Sequence, residues 1–495
     1  MKFARLFRIR RELLKTMGLN TGLLIIMAVT GAAQTASTRS SSTAVTSQTG
    51  DQYLVEFKGS SLPKDLLVRI SALGGNVVDT FPEIKVALVG GMSEAAAAAL
   101  ASQTDVADVT LDEFLAPSDE LRNNRRELAL LPSPSSASQP ELAFFYPFQW
   151  DKRIIRADRA WQAGLLGSSD VRLAMIDTGI DPTHPELVGL IDGSRSISFC
   201  PGETPIVSQE FPGYPAWTDL YGHGTATAAI ASSHSNLLAG VTSQTTLMAI
   251  KALGIVPCQS SSFLRGIYYA ANQGADVINI SAGSVPFSRA ATRNYIHYIH
   301  LYVEYALRKG VSAVVVAAGN DLFDFDHSGN LVQEFCDVPE VICVSATGPT
   351  DSGPSFLGPF ANVDAPAFYT NFGTSAIDVA APGGNVSFDE QGNIVGISFV
   401  HSACATTDRE FDSMGNIVPG FCTSNGITTA GQIGTSFAAP HVSGLAALLV
   451  SQLGHGKSAQ VRAAIENSAE DLGKPGSDPF YGRGRIDVAR ALGLP

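Results

Sequence analysis

GTSFAAPHVSG, residues 434–444, combines a serine, a proline and a histidine with closely spaced small side chains. Small residues let one backbone approach another closely, so this segment predicts a helix that enters a crowded interior. Pro440 is expected in the first turn of that helix, where its missing N–H costs least. Ser436 would then be the first helical residue, at the end of the helix dipole that stabilises negative charge. Taken alone, the same position also suits an ordinary N-cap serine.

The rest of the chain predicts a globular α/β protein. Its 495 residues are 45% hydrophobic, which is enough for two or three domains with one large core. From residue 144 onward, apolar runs alternate with helical stretches, as in parallel strands covered on both faces. We therefore expect a doubly wound, mostly parallel sheet with functional groups at the carboxyl ends of its strands. The predicted strands are 171–176, 247–252, 277–280, 311–317 and 341–346, and the predicted helices are 226–233, 262–273 and 292–309.

The N-terminal region predicts export. Residues 1–33 have a basic start, a short apolar run at 23–29 and small residues at 31–33, as in a cleaved signal peptide. The apolar run is too short to favour a membrane anchor. Residues 34–50 are rich in Ser and Thr and are interpreted as a spacer. We expect a secreted protein, extracellular or periplasmic, with no membrane contact after the signal is removed.

The charge of the exported chain argues against nucleic acid as a partner. After residue 33, the sequence has 27 basic and 45 acidic residues, a formal net charge of −18. Nucleic acids and anionic membranes both reward a basic surface. Neither is therefore expected to bind this protein.

The six cysteines predict disulfide bonds. None of them lies before position 200, and no two of them form a Cys-x-x-Cys pair. In an exported protein an even number of cysteines favours disulfides over a zinc site. Among the fifteen connectivities, sequence proximity favours Cys336 with Cys343 and Cys404 with Cys422, which leaves Cys200 with Cys258.

Residues 51–115 predict a small, separate α+β unit. Apolar patterning gives the order strand, helix, strand, strand, helix, strand, which is that of a ferredoxin-like unit. Residues 116–143 are rich in proline, serine and charge, so they predict a linker that is open to proteolysis.

Four polar residues at the predicted element ends suggest a reaction. Asp177 ends the first strand of the large sheet, His223 opens a helix between two glycines, and Asn320 follows a valine-rich strand. Each alone is more often structural. With Ser436 they supply a hydroxyl, a base that takes its proton and a carboxylate that orients the base. The Asn320 amide and the Ser436 N–H would donate to an oxyanion.

The motifs DTGIDPTHPEL (177–187), GHGT (222–225), AAGN (317–320) and GTSFAAPHVSG together resemble the subtilisin-like serine proteases, the subtilases. The likeness covers residues 144–495. It implies a serine endopeptidase with a subtilisin-like catalytic domain that acts on protein or peptide substrates. It further implies that Ser436 is the nucleophile, His223 the general base and then acid, and Asp177 the orienting carboxylate. Asn320 would complete the oxyanion hole.

The resemblance also implies the parts that bind substrate and control activity. Ser281, Ala282 and Gly283 would form the edge strand that pairs with the substrate backbone. His184 would be structural, and the remaining histidines are expected at the surface. Residues 51–115 look like an inhibitor I9-like propeptide that blocks its own catalytic domain. Its removal would require a cut within 116–143, and Arg125-Arg126 is one place for another protease to act.

No cofactor is expected for the chemistry, and we expect a monomer. Calcium is common in subtilases, and the acidic loop 321–326 offers oxygen atoms, but no run has the spacing of a calcium site. Structural calcium is therefore left open, with no ligands assigned. Two other functions are compatible with the fold: a catalytically silent binding protein, and a ligase or cyclase that passes the acyl group to an amine.

Overall fold

The computed structural model describes residues 51–115, 126–127, 138–282, 286–351 and 358–495. The predicted signal peptide, the spacer and most of the predicted linker lie outside these ranges.

The first described residues form a four-stranded antiparallel sheet with two helices, here called the N-terminal unit. Its elements are β1 (Asp51–Phe57), α1 (Leu66–Ala72), β2 (Asn76–Phe81), β3 (Val86–Met92), α2 (Glu94–Ala101) and β4 (Val106–Leu111). The strand order is β2-β3-β1-β4. Successive side chains of β1 face opposite sides of the sheet: Val55 packs under α1 and α2, while Leu54 packs against the rest of the protein.

The larger part of the protein contains the following elements in chain order. The strands are β5 (Phe114–Leu115), β6 (Arg126–Glu127), β7 (Arg172–Asp177), β8 (Ile197–Ser198), β9 (Thr246–Lys251), β10 (Cys258–Gln259), β11 (Val277–Ile280), β12 (Phe287–Ser288), β13 (Ala313–Ala317), β14 (Leu331–Val332), β15 (Ile342–Thr347), β16 (Val379–Pro382), β17 (Asn385–Phe388), β18 (Ile394–Ser398), β19 (Val400–Ala403), β20 (Arg409–Phe411), β21 (Ile417–Pro419) and β22 (Thr429–Gln432). The helices are α3 (Trp150–Ile154), α4 (Ala157–Gln162), α5 (Thr204–Glu210), α6 (His223–Ala231), α7 (Ser261–Asn272), α8 (Arg289–Arg308), α9 (Phe421–Asn425), α10 (Thr435–Leu453), α11 (Ser458–Ser468) and α12 (Val488–Ala491).

A seven-stranded parallel sheet is the centre of this part. Its order is β16-β15-β13-β11-β7-β9-β8, and every neighbouring pair is parallel. Alternate residues of β7 face two different helix layers: Leu173 and Met175 face α6 and α10, whereas Ala174 and Ile176 face α7 and α8. The predicted α/β fold with a parallel sheet is confirmed. The predicted strands match the observed ones to within two residues at each end.

Helix α10 differs in one respect from the sequence prediction. It begins at Thr435, so Ser436 is its second residue and Pro440 its sixth. The prediction that Pro440 lies in the first turn is wrong: even counted from Ser436, Pro440 would be the fifth helical residue, beyond a turn of 3.6 residues. Since proline has no N–H, the Ser436 carbonyl has no donor four residues ahead.

The small residues of α10 have the predicted purpose. A Cβ atom on Gly444 would lie 2.6 Å from Cβ of Val241 and 3.0 Å from the carbonyl oxygen of Ala231. The helix is also long and apolar enough to cross a membrane, but 83% of that stretch is buried inside the protein. It is therefore a core helix, and its small residues let neighbouring segments pack closely against it.

All three favoured disulfides are present. Cys200 is bonded to Cys258, Cys336 to Cys343, and Cys404 to Cys422. The first of these joins residues 58 positions apart. It was predicted only because the other four cysteines were assigned to the two pairs that are close in sequence.

The expectation that the remaining histidines lie at the surface is wrong for two of them. His401, on β19, is 3% exposed and His441, on α10, is fully buried, because both elements are covered on every side. Neither ring nitrogen of His401 has a hydrogen-bond partner among the described residues. Burial lowers the pKa of His401 to about 4.

Replacing His401 with phenylalanine should flatten the acid dependence of stability. The folded protein keeps His401 neutral down to about pH 4, whereas the unfolded chain binds a proton near pH 6.5. Stability is therefore lost as the pH falls through this window, by up to about 1.4 kcal/mol per pH unit for one proton. Thermal unfolding between about pH 4.5 and pH 7.5 should show a smaller slope for His401→Phe. The exposed His327→Gln should keep the wild-type slope, and equal slopes for all three proteins would contradict the assignment.

Candidate active site

The predicted site residues stand at element ends that meet at one edge of the parallel sheet. Asp177 is the last residue of β7, His223 the first of α6, and Ser436 the second of α10. Asn320 follows β13 by three residues. Because β7, β11 and β13 are parallel, their carboxyl ends lie on the same side of the sheet.

Asp177 and His223 form a buried hydrogen-bonded pair. Nδ1 of His223 lies 2.7 Å from Oδ1 of Asp177, and neither residue is more than 1% exposed. The carboxylate also accepts from the Thr178 N–H at 2.7 Å and the Thr227 hydroxyl at 3.1 Å. Since a carboxylate accepts, Nδ1 carries the proton and Nε2 is left with a lone pair.

Ser436 adjoins this pair without being bonded to it. In the part of the chain that the structure describes, Nε2 of His223 has no hydrogen-bond partner. The contact between the two segments is made by Phe437, whose ring centre lies 5.4 Å from that of His223. Ser436 is 4% exposed, at the start of a helix whose first N–H groups have no helical partner.

Asn320 is fixed to the start of the same helix by Thr435. Its Oδ1 accepts from the Thr435 N–H at 2.9 Å and from the Thr435 hydroxyl at 3.0 Å. The hydroxyl in turn accepts from the Gly319 N–H at 3.0 Å. Nδ2 of Asn320 lies 3.7 Å from the position that a Cβ atom on Gly434 would take, so it too stays beside the start of the helix. The sequence motifs alone gave no role for this threonine.

Asp219 is a further functional carboxylate that the sequence interpretation missed. It is fully buried and accepts from the N–H groups of Tyr221, Gly222 and Thr225 at 2.7–2.9 Å. Burial raises the pKa of this carboxyl, against the lowering effect of its hydrogen bonds. It therefore shapes the turn that leads into His223. The signal was available, since an aspartate just before a glycine turn and a helix is typical of capping.

A second buried cluster lies behind Ser436. Lys152 Nζ is 2.6 Å from Oδ2 of Asp151 and 2.9 Å from Nε2 of His441, and all three residues are fully buried. Burial and the nearby Lys152 charge lower the pKa of His441 to about 4. Its neutral ring donates from Nδ1 to the Phe437 carbonyl at 2.8 Å, the residue next to Ser436.

The residues predicted to pair with substrate are only partly described. Ser281 and Ala282 follow β11 directly and are at most 8% exposed, whereas Gly283 lies outside the described residues. Nδ2 of Asn279 donates to the Ser281 hydroxyl at 2.8 Å. A different edge, β10, is already paired: it lies antiparallel to β5 of the same chain.

His184 is enclosed by backbone groups. It is fully buried, with Nε2 2.9 Å from the Thr428 carbonyl oxygen and Nδ1 accepting from the Glu186 N–H at 3.2 Å. These contacts join the Asp181–Glu186 turn to the start of β22.

The acidic loop 321–326 does not fit a calcium site. Asp324 accepts from the N–H groups of Asp326 and His327, and Asp326 accepts from those of Thr374 and Ser375. Within the described ranges, no group of three or more His, Cys, Asp or Glu side chains is arranged to hold a metal ion. No step below uses a metal.

These groups together suit acyl transfer. A hydroxyl at a helix start, an imidazole held in one tautomer and a fixed amide donor are the parts that attack on a carbonyl requires. Nothing in the described site favours phosphate or nucleotide chemistry over this.

Comparison with known proteins points the same way. The model of the subtilase family matches residues 168–484. Thermitase from Thermoactinomyces vulgaris is 29% identical over 359 residues, covering 71% of this chain and 99% of thermitase. Subtilisin Savinase from Lederbergia lenta is 29% identical over 345 residues, covering 69% of this chain and 97% of that protein.

Two solved structures share the fold. The epidermin leader peptide processing serine protease of Staphylococcus aureus has a TM-score of 0.63 at 22% identity, covering 90% of this chain and 98% of that one. Fervidolysin from Fervidobacterium pennivorans has a TM-score of 0.60 at 21% identity, covering 90% of this chain and 61% of that one.

Thr435→Val should slow ester hydrolysis at the candidate site by acting through Asn320. Valine keeps the shape but removes the hydroxyl that joins Gly319 to Asn320, so the amide donor is less well fixed. We expect turnover of a p-nitrophenyl ester to fall roughly tenfold in kcat with KM nearly unchanged, less than for loss of the donor itself. Asn320→Ala is the matched variant: if Thr435 acts through Asn320, the double variant is no slower than Asn320→Ala. Additive losses would contradict this role.

Proposed function

The chain belongs to the subtilase family and is a serine endopeptidase, and we propose that it is secreted as a zymogen whose catalytic triad is Asp177, His223 and Ser436. The observation that carries this proposal is the 2.7 Å contact between Asp177 and His223, at the sheet edge where Ser436 is the second residue of α10.

In the proposed reaction, the Ser436 hydroxyl attacks the carbonyl carbon of the scissile bond. His223 Nε2 takes the serine proton and then gives it to the leaving amine. Asp177 keeps Nδ1–H in place and stabilises the imidazolium that forms. Charge on the carbonyl oxygen is met by the Asn320 amide and the Ser436 N–H. Water then hydrolyses the acyl-enzyme, with His223 again acting as base.

The N-terminal unit is proposed to be the intramolecular inhibitor. Its outer sheet face, including Leu54, Phe81 and Leu88, shares one buried apolar cluster with Tyr298 and Tyr302 of α8. A contact of this kind buries a large apolar surface and favours a stable docked state. This supports a unit that stays bound until it is removed.

Acidic side chains around that apolar contact add polar complementarity. Asp108 accepts from Nδ2 of Asn294 and from the hydroxyl of Tyr298, both at 2.9 Å. Asp112 accepts from the Ser261 N–H at 2.8 Å and from its hydroxyl at 2.6 Å. It thereby caps the start of α7, where a carboxylate satisfies free N–H groups.

The strands on either side of the undescribed linker residues support a narrower position for the maturation cut. β5 pairs with β10. The segment that leads into β10 passes Leu253, whose N–H donates to the Asp177 carbonyl oxygen. β6 pairs with β22, which leads within five residues to Ser436. β5 and β6 are thus each paired with a segment that leads to a candidate site residue. We therefore propose that the cut falls between residues 115 and 126.

Secretion is proposed from two features. The basic and apolar pattern of residues 1–33 is that of an export signal, and all six cysteines are paired in disulfides. Disulfides form and persist in oxidising compartments, outside the cytosol.

Replacing the nucleophile tests the zymogen proposal. The full-length protein and its Ser436→Ala variant are expressed for export and followed on a gel and by N-terminal sequencing. We expect the wild type to lose the N-terminal unit by a cut between residues 115 and 126 and to digest a denatured protein. The variant should stay full length, because it cannot form the acyl-enzyme.

Two other outcomes have distinct meanings. Equal processing of both proteins would show that another protease makes the cut. If both stay intact and inert, trypsin is added to cut the linker: activity that depends on Ser436 then indicates a zymogen awaiting an outside protease, and none favours a silent binding protein.

Asp112→Ala should shorten the latent period. The change removes the cap on α7, and loss of a helix cap costs about 1 kcal/mol, or roughly fivefold in docking affinity. Activity after export should therefore appear earlier than in the wild type. Asp105→Ala is the control, since Asp105 pairs with Arg69 inside the N-terminal unit at 2.7 Å. An equal change in both variants would indicate destabilisation of the unit rather than loss of the α7 contact.

A further inference from the structure

The short strand β10 is held by two ties that come from one neighbouring segment. Cys258, its first residue, is disulfide-bonded to Cys200. Three residues after Cys200 comes Glu203, which is fully buried and accepts hydrogen bonds from the N–H groups of Ile255 and Val256. The strand and the segment that leads into it are therefore both fixed from residues 200–203.

Glu203 is itself anchored to the active-site end of β9. Its other oxygen forms an ion pair with Lys251, also fully buried, and Lys251 Nζ donates to the Thr218 carbonyl at 2.7 Å. Lys251 is the strand neighbour of Asp177. A buried charge is tolerated only when it is paired, so the carboxylate has one stable place.

The backbone is shaped to admit this carboxylate. A Cβ atom on Gly254 would collide with the Glu203 side chain. Ile255 packs with Val207, Leu220 and Tyr221 in a small apolar cluster next to α5. The approach to β10 is thus fixed on its polar side by Glu203 and on its apolar side by this cluster.

β10 also pairs with the residues of the same chain that precede the proposed cut. Leu115 pairs with Cys258 and Phe114 with Gln259, in antiparallel register. On the proposed function, a substrate pairs with β10 through the residues that precede its scissile bond. Main-chain pairing of this kind requires the accepting edge to be extended before the peptide arrives.

We propose that the Cys200–Cys258 disulfide and the Glu203 carboxylate are positioning groups that hold β10 ready for substrate main chain. The inference rests on the proposed function. They affect the binding of the substrate residues that pair with β10. They do not alter the reacting groups of Asp177, His223 and Ser436. Loss of either group should therefore reduce activity on long substrates more than on short ones. General destabilisation of the protein would reduce both activities equally.

Matched variants separate these effects. Cys200→Ser/Cys258→Ser removes the covalent tie, and Cys404→Ser/Cys422→Ser removes a disulfide that does not involve β10. Glu203→Ala and Glu203→Gln both lose the charge that pairs with Lys251, but glutamine keeps an oxygen for the amides of residues 255 and 256. The difference between the last two therefore reports the contact with the backbone.

The measurement is kcat/KM for two probes, made on enzyme matured from the full-length chain and well below the melting temperature of each variant. p-Nitrophenyl acetate has no residue that reaches β10, and succinyl-tetraalanyl p-nitroanilide extends toward it. We expect the ratio of peptide to ester activity to fall about tenfold in Cys200→Ser/Cys258→Ser and in Glu203→Ala, the value of one or two lost main-chain hydrogen bonds. Glu203→Gln and the Cys404/Cys422 control should keep a ratio close to the wild type.

Unchanged ratios in folded variants would overturn the proposal, as would equal losses for both probes or a similar fall in the control. If the double serine variant is not recovered in a folded form, the comparison of Glu203→Ala with Glu203→Gln decides. Failure of the proposed function looks different: wild-type enzyme would then hydrolyse neither probe in a manner that depends on Ser436.

Discussion

The close approach of α10 to its neighbours is the constraint on which the site depends. Gly444 brings this helix against Val241 and the Ala231 carbonyl, and Ser436 near its N-terminal end is buried, as is His223 at the start of α6. Depth of this kind removes water from around the reacting groups and strengthens every electrostatic contact there. It also demands that each buried polar atom finds a partner, since an unpaired one costs about 1–3 kcal/mol.

The hydroxyl and amide donors around the site meet that demand for Asp177 and Asp219. Asp177 and Asp219 are both fully buried, and threonines at 178, 225 and 227 supply their donors. For the same reason, Asp151, Lys152 and His441 are buried together behind α10. This cluster has no net charge when His441 is neutral. Because His441 bonds the Phe437 carbonyl, this set fixes the first turn at the point where Pro440 leaves the Ser436 carbonyl without a helical donor.

What could be predicted from the sequence was set by local pattern. The parallel strands have long apolar runs, and Asp177 and Asn320 stand in short motifs after them, so their positions near the strand ends could be predicted. The disulfides followed from spacing. The position of Pro440 was predicted wrongly, since a residue four positions after Ser436 already lies beyond the first turn of 3.6 residues. His401, His441 and the pair of Glu203 with Lys251 depend on segments far apart in the chain, and no local pattern announces such contacts.

The use of β10 by the chain itself has a consequence for inhibition. An inhibitor that pairs with the same strand as a substrate competes for one set of main-chain groups, so its affinity depends on the same fixed edge. The apolar face of the N-terminal unit and the Asp112 cap add contacts that a short substrate lacks. When the chain is cut after β5, those contacts still hold the unit in place, but the link that raised its local concentration is gone. On the proposed function, latency then depends on docking alone, and a fixed β10 strengthens the binding of the proposed inhibitor and of the substrate together.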